Sequence, residues 1–280
     1  MLIITQIEIQ NARARKGEIT MDIQLIRHAS LWLKYGEKTL LIDPMFADKG
    51  QFPPFPNTPN DKRNPLISLP ASMNQWLNPD LVIVTHVHLD HWDTIAASSL
   101  PKSTPILCQP ENKQVIMEAG FLHVTSLPTI DEATSLDEPI SFFGLQIYRT
   151  GGKHGTGEIG ERMGTVSGVV LTAEGEPTLY VTGDSIWCED VAMALDKYKP
   201  ALIIANAGGA RFVTGDPITM DEQDITKLCE HVPDSKIIGV HMDAINHCLV
   251  TREQLRKYVD QHNLTQQVII PEDGERITFH

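Results

Sequence analysis

The stretch Thr85-His86-Val87-His88-Leu89-Asp90-His91-Trp92-Asp93 constrains this chain more than any other, because it places H-x-H-x-D-H directly after the apolar run Leu81-Val82-Ile83-Val84. A short run of branched apolar residues reads as a strand covered on both faces. Four side chains of metal-ligating type, His86, His88, Asp90 and His91, therefore leave the end of one buried strand together. The fold has to bring further donors to that same edge if the cluster is to hold an ion.

Apolar runs at 23–26, 31–35 and 39–42 read as a meander turning at 36–38 and ending in Asp43-Pro44. Residues 45–72 break the pattern: a Pro-rich stretch carrying Phe52 and Phe55 reads as a lid or substrate-choosing loop, with a plain surface excursion as the alternative. Beyond the motif, a helix over 94–100, a strand over 104–109 and a helix over 111–119 are expected, then a hairpin around Gly144 leading to the Gly-flanked His154. Strands follow at 166–172 and at 178–182, the latter ending in Gly183-Asp184, and at 201–205, ending at Asn206. Helices over 189–197, 220–231 and 252–262 alternate with strands over 236–240, ending at His241, and 267–270. This alternation argues an α/β fold, in which ligand sites gather at the carboxyl ends of strands. His86, His154, Asp184 and His241 all stand at such exits and are expected to meet in one cleft. Imidazole and carboxylate donors suit zinc, manganese or iron, and the absence of clustered cysteines argues against a structural zinc knuckle.

A net charge of −13 disfavours nonspecific attraction to nucleic acid or anionic lipid. The four cysteines contain no C-x-x-C, and no apolar run approaches a membrane span or a signal sequence, so the expected location is the cytoplasm, with no membrane and no nucleic-acid partner. Residues 1–20 read as an N-terminal extension, either an edge strand or arm or a stretch upstream of a start at Met21; residues 21–280 read as one domain. A small-molecule substrate is the expected partner, and a homo-oligomer is allowed.

The order H-x-H-x-D-H, separate His154, Gly183-Asp184 and late His241 resembles the metallo-β-lactamase superfamily from about residue 21 to the C-terminus. His28-Ala29-Ser30 and the Gly-flanked His154 are similar to the branch that includes ascorbate-6-phosphate lactonase and, more distantly, the phospholipase D that cleaves N-acyl ethanolamine lipids. Arg27 departs from that branch, where Gly often precedes the His. The resemblance implies an α/β, αβ/βα four-layer sandwich of the metallo-β-lactamase type, with two facing sheets and helices outside. It also implies two divalent metal ions, zinc first and manganese or iron as alternatives. His86, His88 and His154 would hold one ion, Asp90, His91 and His241 the other, and Asp184 would lie between them. Such a pair can share a hydroxide at neutral pH and cleave a small ester, lactone or phosphoester, with Asp90 and Asp184 as the catalytic carboxylates. The alternatives are a di-iron oxidoreductase on the same scaffold and a non-catalytic metal-binding protein.

Asn206 and His247 are the candidate substrate-binding residues; Asn206 also suits a turn, and His247 competes with His241 as a ligand. Asp43 and His28 suit the orientation of imidazoles, or capping and core packing. Lys153, Arg162 and Arg211 are candidate partners for an anionic group or ordinary solvated charges. Cys188 reads as structural, and His123, His231, His262 and His280 as surface residues.

Overall fold

The structure, a computed structural model, describes residues 4–7, 21–129 and 138–279; His280 lies outside them. Its strands in chain order are β1 (Ile4–Ile7), β2 (Met21–Arg27), β3 (Ser30–Tyr35), β4 (Lys38–Ile42), β5 (Leu81–Val84), β6 (Ile106–Cys108) and β7 (Val124–Ser126), then β8 (Ile140–Phe142), β9 (Leu145–Thr150), β10 (Gly168–Thr172), β11 (Leu179–Val181), β12 (Leu202–Asn206), β13 (Lys236–Val240), β14 (Val268–Ile269) and β15 (Arg276–Phe279). The first sheet runs β1-β15-β2-β3-β4-β5-β6-β7 and the second β14-β13-β12-β11-β10-β9-β8. The helices are α1 (Thr94–Ser99), α2 (Lys113–Glu118), α3 (Gly157–Met163), α4 (Glu189–Tyr198), α5 (Glu222–His231) and α6 (Arg252–Gln261).

Side-chain alternation along the strands builds the layers. In β5, Leu81 and Ile83 join the core between the sheets, while Val82 and Val84 pack with Ala96 of α1 and Ile116 of α2. In β12, Leu202 and Ile204 face the same central core, while Ile203 and Ala205 pack with residues of α4, α5 and α6. Helices thus cover the outer face of each sheet, giving the expected four-layer αβ/βα sandwich. Both faces of β5 and β12 are covered, which is why their sequences are continuously apolar.

Three elements depart from the sequence reading. α3 stands where a Gly-rich loop was expected, and β7 and β15 are strands that short, half-polar patterns did not announce. β1 pairs in parallel with β15 at the edge of the first sheet. Residues 45–72 remain a loop without helix, and Arg27, the departure from the related branch, anchors it. The fully buried guanidinium donates to the carbonyls of Met45 (2.9 Å), Ala47 (3.0 Å) and Ile67 (2.9 Å), so one side chain ties both ends of the loop to β2. Among the described residues no helix is long and apolar enough to cross a membrane.

Candidate metal centre

Strands β5, β9, β11 and β13 deliver His86, His154, Asp184 and His241 to one edge of the sandwich, and the structure brings all seven expected donors together there. Three sets of donor atoms lie within 4.8 Å of one another: His86, His88 and His154; His28, Asp90, His91 and His241; and His86, His91 and Asp184. Asp184 lies against members of both expected triads, His86-His88-His154 and Asp90-His91-His241. Its Oδ2 lies 3.2 Å from His91 Nε2, 3.5 Å from His154 Nε2 and 3.9 Å from His86 Nε2, and its Oδ1 lies 3.2 Å from His241 Nε2. Gly183 makes this placement possible: its φ is +62°, and a Cβ there would collide with the Ser167 carbonyl oxygen.

Four of the five donor imidazoles are oriented from behind by their other nitrogen. His91 Nδ1 donates to Asp43 Oδ2 (2.8 Å), His154 Nδ1 to the Ile218 carbonyl (2.7 Å), and His86 Nδ1 lies 3.2 Å from the Thr85 hydroxyl. His241 Nδ1 has the Cys248 thiol at 3.5 Å. His28 is fully buried; it donates from Nε2 to Asp90 Oδ2 (3.1 Å), its carbonyl accepts from His241 N (2.9 Å), and its ring lies 3.6 Å from that of His241. Its Nδ1 has no partner. His28, Asp43 and His241 hold left-handed backbone at φ 61°, 47° and 71°. Such conformations cost energy in non-glycine residues and concentrate at functional sites.

Burial disfavours charge throughout this cluster, so the charges that persist are those with partners. Burial pushes the Asp184 carboxyl up, but His241 and His91 outweigh it and hold it well below the usual carboxylate range. Asp90 is also held far below that range, His91, His241 and His28 overcoming its burial. Conversely, burial opposes the charged form of His91, yet Asp184, Asp43 and Asp90 raise it to about 10, and Asp184 raises His241 well above the ordinary imidazole value in the face of the same burial and with further help from Cys248 and Asp90. Burial drives His86 far down, and His154 down as well. Protons on His91 and His241 thus stand in for the positive charge that two buried carboxylates require. A divalent cation supplies that charge better, and the imidazole and carboxylate donors match zinc, manganese and iron. Metal binding at pH 7 is therefore expected to release up to about two protons, with apparent affinity rising as pH is raised toward about 10. Zinc titration calorimetry in buffers of differing ionisation enthalpy checks this; heats independent of the buffer would refute it.

A cavity of about 640 Å³ opens onto the cluster. His88, Asp90, His154 and Asp184 form its polar side, and Phe55, Leu89, Ile159, Met163, Phe212 and Val213 supply apolar wall. His247, an expected substrate residue, lines it and is 5% exposed, with its Nδ1 unpartnered. Asn206 is buried and absent from that lining, and its Nδ2 donates to Asp184 Oδ1 at 2.7 Å. Of the three candidate cations only Arg162 lines the cavity. Cys188 pairs with Ser185 and Asp190, and His123, His231 and His262 are exposed. The wall residues of α3, Ile159 and Met163, were missed, although their i, i+4 spacing between glycines is a helical signal.

A family model described as the beta-lactamase superfamily domain matches residues 38–242. The protein YddR of Bacillus subtilis is 37% identical over 263 residues, covering 92% of this chain and 100% of YddR. Among solved structures, an isothiocyanate hydrolase from Delia radicum gut bacteria is similar with a TM-score of 0.85 and 34% identity, covering 91% of this chain and 98% of that one. A possible metal-dependent hydrolase from Veillonella parvula is similar with a TM-score of 0.86 and 37% identity, covering 92% of this chain and 99% of its own.

Proposed function

The chain belongs to the β-lactamase superfamily, as a metal-dependent hydrolase, and from that membership we propose that it hydrolyses a small uncharged electrophile bearing an apolar group, isothiocyanates being the leading class. The cavity lining carries this choice: seven apolar residues line it beside the donor cluster, with Arg162 as the one guanidinium or ammonium group among the described lining residues. Phosphoester sites usually gather several cations around the phosphate oxygens, so that part of the sequence-based expectation is the least favoured. An isothiocyanate carbon needs no anion-binding site, and the relative at 34% identity is named for that substrate. Small esters and lactones remain the comparison substrates.

His86, His88 and His154 would hold one divalent cation, Asp90, His91 and His241 a second, with Asp184 facing both. When bound, such cations supply Lewis acidity and acidify water to near neutrality, zinc being the first candidate and manganese or iron the others. Asp90 has an oxygen held by His28 Nε2 and lines the cavity, which suits it to take a proton from the attacking water and return it to the leaving nitrogen. In balance, water adds its oxygen to the isothiocyanate carbon, the carbon–nitrogen bond breaks, and amine and carbonyl sulfide leave. Asn206 keeps Asp184 in place, and the apolar wall keeps bulk water from the reacting carbon.

Protein reconstituted with zinc or manganese is to be assayed on benzyl isothiocyanate, phenyl acetate, a γ-lactone and p-nitrophenyl phosphate. The expected outcome is amine release from the isothiocyanate well above turnover of the others, lost on chelation and restored by metal. Phosphoester turnover without isothiocyanate turnover overturns the substrate class. Undiminished activity in protein shown to be metal-free overturns the mechanism.

A further inference from the structure

One face of the cavity is built from stretches around residues 55–60, 211–214 and 244–248, which lack helix and strand, and Asn246 joins them. This side chain is 1% exposed and stands behind the wall, outside the cavity lining. Its Oδ1 accepts from Phe55 N (3.1 Å) and Asn64 Nδ2 (2.8 Å), and its Nδ2 donates to Thr58 Oγ1 (2.6 Å) and the Asn60 carbonyl (3.1 Å). Its backbone N donates to Asn64 Oδ1 (2.9 Å), and its carbonyl accepts from Asn60 Nδ2 (2.7 Å). Val213 N donates to the Asn57 carbonyl (2.8 Å) and Arg211 N to the His247 carbonyl (3.0 Å), closing the three stretches into a ring. The His247 ring is thereby set edge-on to Phe55, with centroids 4.9 Å apart, and lies 6.4 Å from Phe212 at an interplanar angle of 28°.

A Pro-rich loop has few ladder hydrogen bonds of its own, so its shape depends on such side-chain ties. We propose that the Phe55–His247–Phe212 wall is a preformed subsite for the non-reacting apolar group of the substrate, and that Asn246 is the positioning residue that keeps it preformed. The proposal rests on the hydrolase reading above and adds which part of the molecule selects the substrate. A wall fixed in advance lowers the ordering cost of binding, and its loss acts chiefly through KM. The effect should grow with the size of the group that touches the wall.

The test compares Asn246→Ala with the parent protein on benzyl and methyl isothiocyanate, both proteins being metal-loaded. Expected is an about ten- to hundredfold fall in kcat/KM for the benzyl substrate, carried by KM, with a markedly smaller fall for the methyl substrate and parental metal content. Asn60→Ala, which removes one tie at a half-buried position, should show the same preference shift in weaker form and serves if Asn246→Ala does not fold. Equal falls on both substrates, no fall, or loss of bound metal overturns the positioning role. Binding of N-benzylacetamide against N-methylacetamide, measured calorimetrically, separates the two levels. If the parent prefers the benzyl amide, the variant loses that preference and neither isothiocyanate is hydrolysed, the subsite stands and the reaction assignment falls. If isothiocyanates are hydrolysed with no preference for the benzyl group, the subsite falls and the reaction assignment stands.

Discussion

Asp184→Asn is expected to lower kcat/KM by about three orders of magnitude or more and to leave the protein short of metal. The substitution is nearly isosteric, and a carboxamide oxygen can still accept from Asn206 Nδ2, so the local backbone has no reason to move. The position of Asp184 Oδ2, however, lies within 3.2 to 3.9 Å of three imidazole nitrogens, of His91, His154 and His86. An amide NH2 there donates where a ligand must accept, and it removes one of the negative charges that keep His91 and His241 charged before metal binds. Both triads lose their shared anion at once, which is why the effect should exceed that of replacing a histidine on one side. Metal content by plasma emission and kinetics on benzyl isothiocyanate decide the matter. A variant with parental metal content and an unchanged rate would show that Asp184 does not serve both triads.

The parts of this site that were legible in the sequence are those fixed by local chemistry. β5, β11 and β13 are buried along nearly their whole length, so they read as short apolar runs, and the polar residues that follow them stand out. His86, Asp184 and His241 could be found in that way, and the facing-sheet architecture followed from the resemblance those residues carry. What could not be read depends on chain segments far apart in sequence. Asn206 stands at a strand exit like a substrate residue, and only the fold shows Asp184 Oδ1 in front of its amide. Phe55 N and Asn246 Oδ1 are 191 positions apart, and no periodicity announces a hydrogen bond of that kind. The left-handed backbone of His28, Asp43 and His241 was equally hidden, because sequence signals for positive φ are carried mainly by glycine and asparagine. The two candidate roles for residues 45–72 are now unequal: Phe55, Pro56 and Asn57 line the cavity, so the loop is part of its wall.

Asp43→Ala is expected to destabilise the metal-free protein by about 3–5 kcal/mol, the cost of removing a buried charge from partners that stay behind. Asp43 is 1% exposed; Oδ1 accepts from Thr85 N (2.7 Å), and Oδ2 accepts from the Thr85 hydroxyl (2.7 Å) and His91 Nδ1 (2.8 Å). Alanine leaves the Thr85 N–H buried without that acceptor and must still hold a φ of 47°, a left-handed conformation that is costly for a residue with a Cβ. Asp43→Asn separates charge from geometry, since its oxygen can still accept from Thr85 N while His91 loses an anionic partner. This variant is expected to lose less stability yet about ten- to hundredfold in metal affinity, the usual consequence of disturbing the group behind a ligating imidazole. The pH dependence adds a second check. His91 is raised to about 10 by carboxylates that include Asp43, so its contribution to the stability of the metal-free protein is complete below about 6.5 and is lost as pH climbs through about 10. The deficit of Asp43→Asn should accordingly be largest near neutral pH and shrink toward pH 10. Denaturant unfolding at several pH values, paired with competitive zinc titration, measures both effects. A deficit that grows with pH, or unaltered zinc affinity, would mean that Asp43 does not act through His91.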